Sequence, residues 1–454
     1  MNLIKGGEKM KYTILGGGLS ALSLAYFLEQ NNTTEEILII EKEEKLGGLC
    51  RSFNIKGINY DIGPHIIFSK NKEILGFMNE LLKDNVEKHR RSNRIIYDKK
   101  FIQYPFENDL SKLPKHKLDY CLNSFLYNPY ENYNPQSMLQ FFLKTFGEGI
   151  TNTYLRPYNE KIWKFDPAYM DTQMVERIPK PPKEDIIKSA KGETVDGYLH
   201  QLYFTYPKQE GMEALIKAFI SKLSNKTKFI LNSKIDKITK QNKVFNIETS
   251  SGNFEAEKII STIPLNYLCS IYQNCPLEIK NASCNLKHNS IMICIFNVKK
   301  DYAKDNYAFM ISDKNVIFHR ISKLDFMGES YHIKNTVTYM AEITYRKNDL
   351  YDKMTNDEII KKAAEGLKTI GFIDNKEDIN FYDIKRFEYA YVIYDIEHKI
   401  NTQKIRKYFE KENILTNGRF GSFEYLNVDA VINQSKMLAE RLTGKNKTAK
   451  ILKI

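Results

Sequence analysis

Cysteine is scarce and unpaired in this chain: Cys50, Cys121, Cys269, Cys275, Cys284 and Cys294 are the only six in 454 residues, and none forms a CxxC pair. With only eight histidines scattered among them, this spacing excludes a zinc ribbon or a dense disulfide frame and makes a reducing cytoplasm the expected location. Long apolar runs are missing as well. No segment reaches the roughly 18–20 residues that a membrane-spanning helix needs. The apolar stretch from Thr13 to Phe27 is interrupted by three glycines, which fits a folded turn better than a signal peptide. No clustered basic helix or basic-aromatic motif is present, so no nucleic-acid partner is expected.

What remains has the composition of a globular protein, with 42% hydrophobic, 12% aromatic and 27% charged residues, which excludes disorder and fibrous repeats. At 454 residues the chain exceeds the size at which one core keeps growing, so two or three lobes are expected. The 68 basic and 56 acidic residues leave a net charge of +12. That excess suits an anionic small molecule and is compatible with docking on an anionic membrane surface. Most lysines alternate with acidic residues, as from Glu41 to Lys45, and read as a solvated face. Residues 1–9 precede Met10 and read as an upstream start or a frayed end, and homo-oligomer formation stays open.

The first strong pattern is local. Lys11 to Leu15 reads as a buried strand, Ser20 to Glu29 as a helix with Ala21, Leu24, Ala25 and Leu28 on one face, and Ile37 to Glu41 as a second strand. Between strand and helix lies Gly16-Gly17-Gly18-Leu19-Ser20-Ala21, a G-x-G-x-x-A fingerprint. Glycines there let the backbone approach a pyrophosphate, whose charge meets the free amides of the helix N-terminus. Glu41 follows Gly16 by 25 residues, at a strand end where a carboxylate accepts from ribose hydroxyls. This is a dinucleotide site in a doubly wound α/β fold. NAD and FAD share it, and Glu41-Lys42 followed by Gly47-Gly48-Leu49-Cys50-Arg51 brings a second glycine approach and a fixed cation to the same pyrophosphate.

That arrangement resembles the FAD-binding amine oxidase and protoporphyrinogen oxidase superfamily, and further stretches are similar to its UDP-galactopyranose mutase family. They are Gly63-Pro64-His65, Gln103 to Asn108, Leu155 to Trp163, Arg386 to Tyr391, and Gly418 to Tyr425. The resemblance implies FAD, active in its reduced form, held by Gly16, Gly18, Leu19, Ser20, Glu41, Lys42, Gly48, Leu49, Arg51, His65, Ile235, Arg419, Asn427 and Val428. It implies that Arg156, Arg320, Tyr391 and Tyr425 bind the diphosphate of a UDP-sugar, and that His65 shapes the flavin environment. The implied reaction interconverts pyranose and furanose sugars: flavin N5 attacks the anomeric carbon, UDP leaves, and the ring reopens and closes through another hydroxyl. Two departures touch the sugar rather than the diphosphate. Val392 stands where the family has proline, and Lys323 to Phe326 lacks the family's tyrosine. An FAD-dependent oxidoreductase and a non-catalytic nucleotide-binding scaffold remain alternatives.

The implied organisation is a discontinuous FAD-binding domain (10–71, 209–265 and 412–445) of Rossmann type. Into it are inserted a helical lobe with a mobile loop (72–208) and an antiparallel sheet domain (266–411). Within them, Pro179 to Gly197 is expected to be an exposed loop, and Met292 to Val298, Val316 to His319, Thr336 to Tyr345 and Ile379 to Arg386 to be strands.

Overall fold

The computed structural model describes residues 9–33, 35–178, 180, 182–193, 195 and 202–445. Most of the segment before Met10, and part of the expected mobile loop, lie outside these residues.

The strand Lys9–Leu15 is central in the first sheet, flanked in parallel by Ile37–Ile40 and Gly252–Ser261. Ile37–Ile40 has all four side chains buried, as expected of a parallel strand covered on both faces. Thr227–Ile230 and Ile414–Thr416 extend the sheet in parallel, whereas Val244–Thr249 and Ile235–Gln241 add an antiparallel wing. The helix Leu19–Gln30 buries Leu22, Leu24, Ala25 and Leu28 completely. Each buried leucine contributes about 1.5–3 kcal/mol, so this helix is fixed by its core face although no side chain caps it.

The second sheet runs Ile379–Ile393, Lys287–Val298, Val337–Tyr345, Arg320–Lys323, Ala308–Ile311, Asn93–Tyr97, Lys100–Gln103. Every pairing is antiparallel except Ala308–Ile311 with Asn93–Tyr97. The last two strands come from the segment expected to be helical. Its helices Lys72–Leu82, Lys115–Leu126, Met138–Ile150 and Arg156–Trp163 do form, but a short hairpin between them reaches across to complete the sheet.

Two further expectations are corrected. Val316 to His319 is irregular chain leaving a turn at 313–316 rather than a strand: the Asp313 carboxylate accepts from the Asn315 amide and the Asp313 carbonyl from Val316. Its apolar side chains instead fill a second core cluster. The proline-bearing segment expected to be an open loop contains the helix Lys183–Ala190, whose Ser189 hydroxyl is buried and donates to the Glu107 carbonyl. Among the described residues no helix is long and apolar enough to cross a membrane.

Candidate active site

A single cavity of about 1790 Å³ runs from the glycine turn to the end of the antiparallel sheet. Pockets for one drug-sized ligand are about 300–1,000 Å³, so this space suits a dinucleotide together with a second molecule.

At one end the chain folds tightly enough that side chains would obstruct it. Gly16 has φ +90°, and a Cβ there would lie 2.8 Å from Thr262 Oγ1. Gly18 bridges to Gly47, and a Cβ on Gly48 would approach Gly18 Cα to 3.1 Å. The two bends therefore form a cradle of bare backbone. The Glu41 carboxylate accepts from the amides of Gly17 at 2.6 Å and Glu43 at 2.9 Å. Those bonds fix its orientation and leave acceptor capacity for ribose hydroxyls. Arg51 donates through Nε to Gly48 O at 3.0 Å and lies 3.4 Å from Glu43. Leu19, Ser20, Lys42, Leu49 and Ile235 also line the cavity, as does the N-terminus of the helix Val428–Thr443, reached through Asn427. This residue set fits FAD: glycine backbone for the pyrophosphate, a carboxylate for the ribose, and a helix N-terminus for negative charge.

At the other end the antiparallel sheet, the loop after Ile414–Thr416 and the helix Arg156–Trp163 supply aromatic and charged groups. Tyr391 and Tyr425 stack at 5.8 Å between centroids and 18° between planes. Trp163, the only tryptophan, meets both rings edge-on at 5.9 and 5.8 Å. The Arg419 guanidinium sits 4.1 Å from the Tyr425 centroid and donates to the carbonyls of Leu426 and Ala390. Burial pushes the Tyr391 phenol well up, so it remains a neutral donor. Burial, reinforced by the Arg419 and Arg320 cations, pushes the His65 imidazole down to about 4.

The depressed His65 value has a checkable consequence. A histidine held neutral in the folded state contributes stability that is full above about 6.5 and is lost as pH falls toward about 4. The 13C-labelled imidazole of His65 should therefore show no titration between about pH 8 and 5.5, where an ordinary histidine titrates fully. A midpoint near 6.5 would contradict the assignment.

Most of the expected residues line this cavity, but Arg156 does not. It opens the helix Arg156–Trp163, is 40% exposed, and pairs with Glu160 at 2.8 Å and Asp166 at 3.8 Å. The resemblance of Leu155 to Trp163 selected it, and in this structure its guanidinium is engaged in a partly exposed ion pair. Arg320 does line the cavity, yet it is not a bare cation. Its Nε and Nη2 donate to the two carboxylate oxygens of Glu342 at 2.5 and 2.7 Å, and Glu342 is fully buried. The reading of the sequence missed Glu342; its signal was one carboxylate in Val337–Tyr345, a strand buried along its whole length. Also missed were the cavity-lining Arg91, Asn93 and Tyr307, which lie on or beside short strands with no motif of their own. Phe326, which replaces the expected tyrosine, packs 5.2 Å from Tyr307.

Such a glycine cradle with a strand-end carboxylate, facing a β-sheet wall, defines a dinucleotide-binding protein of the doubly wound α/β class. The chain belongs to the flavin-containing amine oxidoreductase family, which it matches over residues 19–395, and its cofactor is FAD. It is 26% identical over 181 residues to dTDP-fucopyranose mutase of Escherichia coli, covering 37% of this chain and 46% of that protein. It is likewise 26% identical over 181 residues to UDP-galactopyranose mutase of Mycoplasma genitalium, covering 36% and 42%. The chain thus matches about half the length of these curated relatives. A crystal structure of reduced UDP-galactopyranose mutase superposes with a TM-score of 0.88 over 96% of both chains at 22% identity, a likeness of fold.

Proposed function

We propose that this protein is a flavin-dependent sugar-nucleotide mutase, interconverting pyranose and furanose forms of a UDP-sugar, most simply UDP-galactose. The observation that carries the reading is the continuity of the cavity: the FAD cradle opens directly onto the stacked Tyr391–Tyr425 pair and Arg320. Similarity to two sugar-nucleotide mutases supports it.

Reduced FAD, when bound, supplies the nucleophile that displaces the diphosphate from the anomeric carbon. The chain's own groups hold and shield the reactants. Tyr391 and Tyr425 offer phenolic protons to the departing diphosphate oxygens, without a permanent extra charge. Arg320 brings a positive edge whose partner Glu342 is locked behind it, so the site gains orientation with little net charge. Arg419 stabilises negative charge near Tyr425, where it is itself braced by two carbonyls. His65, held neutral, positions without exchanging a proton at ordinary pH. Aromatic walls from Phe387, Tyr389 and Phe420 limit water entry.

The test is direct. Dithionite-reduced protein should convert UDP-galactofuranose to UDP-galactopyranose, followed by chromatography, and the oxidised protein should be at least about tenfold slower, a barrier difference of about 1.4 kcal/mol. Equal inactivity of both forms would sink the proposal. Oxygen consumption with peroxide release from an amine would instead favour the oxidase chemistry for which the family is named.

A further inference from the structure

One wall of the cavity carries polar atoms with nothing to bond to. Arg91 Nε and Nη2, Asn93 Oδ1 and Tyr307 Oη are all out of contact with solvent and lack a hydrogen-bond partner. All three residues line the cavity. They are held together by backbone: the Tyr307 amide donates to the Ser92 carbonyl at 2.8 Å, and Asn93 is in register with Ala308 in the parallel strand pair. The Arg91 main chain is fixed by its N–H, which donates a hydrogen bond to Leu202 O at 2.7 Å, and its guanidinium lies 5.2 Å from the centroid of Phe68.

Other cations of the site are matched or braced, Arg419 by the carbonyls of Leu426 and Ala390 and the face of Tyr425. Arg320 is matched by the Glu342 carboxylate, and Arg51 faces Glu43. Arg91 has no ion-pair partner among the described residues. Desolvation, the largest influence on it, acts against its charged form, while the phenols of Tyr104 and Tyr307 lie nearby. A guanidinium stays charged at any ordinary pH, and an unmatched buried charge is costly unless a ligand completes it. Asn93 Oδ1 is an acceptor and Tyr307 Oη can donate or accept, which suits hydroxyl groups beside that charge.

We propose that Arg91, with Asn93 and Tyr307, forms an oxyanion subsite of the cavity, in which the substrate itself supplies the counter-charge. The ligand class is a polyhydroxylated molecule carrying an oxyanion, either the diphosphate of the nucleotide or a carboxylate on the sugar. The inference rests on the mutase reading for the nucleotide and sugar named as sources of the oxyanion and for the uridine probes; the subsite itself rests on the geometry.

The test uses the full chain loaded with FAD. Calorimetric titration with inorganic pyrophosphate, UDP, UDP-galactose and UDP-galacturonate is carried out on the wild type, Arg91→Gln and Arg91→Lys. The expected result is at least tenfold weaker binding to Arg91→Gln, with smaller losses for Arg91→Lys. If pyrophosphate, UDP and UDP-galactose all weaken, the oxyanion is the diphosphate. If UDP-galacturonate weakens and UDP-galactose does not, it is a sugar carboxylate. Wild-type binding of pyrophosphate through Arg91 without affinity for any uridine ligand would support the subsite and remove the nucleotide-sugar reading. Affinities within twofold of wild type for all four ligands would overturn the subsite, and so would a variant that loses FAD but binds the oxyanions normally once reloaded. Wild-type protein that binds none of the four overturns both proposals. Should the variants fail to fold, phenylglyoxal labelling of Arg91 in the wild type, read by mass spectrometry, decides: oxyanion ligands must protect it at least tenfold, and equal labelling with and without them refutes the subsite.

Discussion

Replacing Arg320 with alanine should lower folding stability by about 3–5 kcal/mol, the usual cost of removing one member of a buried ion pair. The reason is Glu342. Its carboxylate is fully buried, accepts both Arg320 donors, and lies close to the Gly63 turn that precedes His65. Without the guanidinium, a charge or a protonated acid must be accommodated in a closed strand interior. Arg320→Lys should recover only part of the loss, because one ammonium cannot reproduce two parallel bonds. Arg156→Ala serves as the contrast: its partners are partly solvated and its side chain is 40% exposed, so a change below about 1 kcal/mol is expected. Urea denaturation of the FAD-loaded proteins measures all three, and an Arg320→Ala variant as stable as Arg156→Ala would show that the buried pair is not structural.

Gly16→Val should give an essentially colourless protein. Holding a non-glycine residue at φ +90° costs about 1–3 kcal/mol, and valine would add atoms where even a Cβ lies 2.8 Å from Thr262 Oγ1 and 3.1 Å from Ile263 Cγ2. The turn can relieve both only by moving into the space meant for the pyrophosphate. Affinity for FAD should fall about 10- to 100-fold, the equivalent of about 1.4–2.7 kcal/mol, because the displaced backbone intrudes on the pyrophosphate. The 450 nm to 280 nm absorbance ratio after gel filtration reads this out, and a wild-type ratio would show that the turn tolerates the side chain. Gly57→Ala, at a positive-φ turn with open space around it, is the matched control for strain without obstruction.

The FAD lobe was readable because its cues are local and redundant. A buried strand, a glycine turn, an apolar helical face and a strand-end carboxylate all fall between Lys11 and Glu41, and each restricts the others. The wall opposite was far less readable. The strand Asn93–Tyr97 has five residues, and beyond its local hairpin with Lys100–Gln103 it joins the sheet by pairing with Ala308–Ile311, more than two hundred positions away. Arg91 and Tyr307 become neighbours through that pairing, so no window along the chain contains both. For Arg156 the Leu155 to Trp163 motif was legible, whereas the pairing of its side chain with both Glu160 and Asp166 was not. The Val316 to His319 segment shows a third limit, since apolar content reports burial without distinguishing a strand from irregular chain pressed into the core.

Arg419 fastens two parts of the molecule that the chain makes far apart. It lies just after the last strand of the parallel sheet, yet one arm of its guanidinium grips Ala390 in the long strand of the other sheet and the second grips Leu426 before the final helix. The flat face of the same group rests on Tyr425. This cation works as a rivet: held on its own side by Leu426 and Tyr425, it would lose the Ala390 carbonyl if the two halves slid past each other, so the seam resists shear at that point.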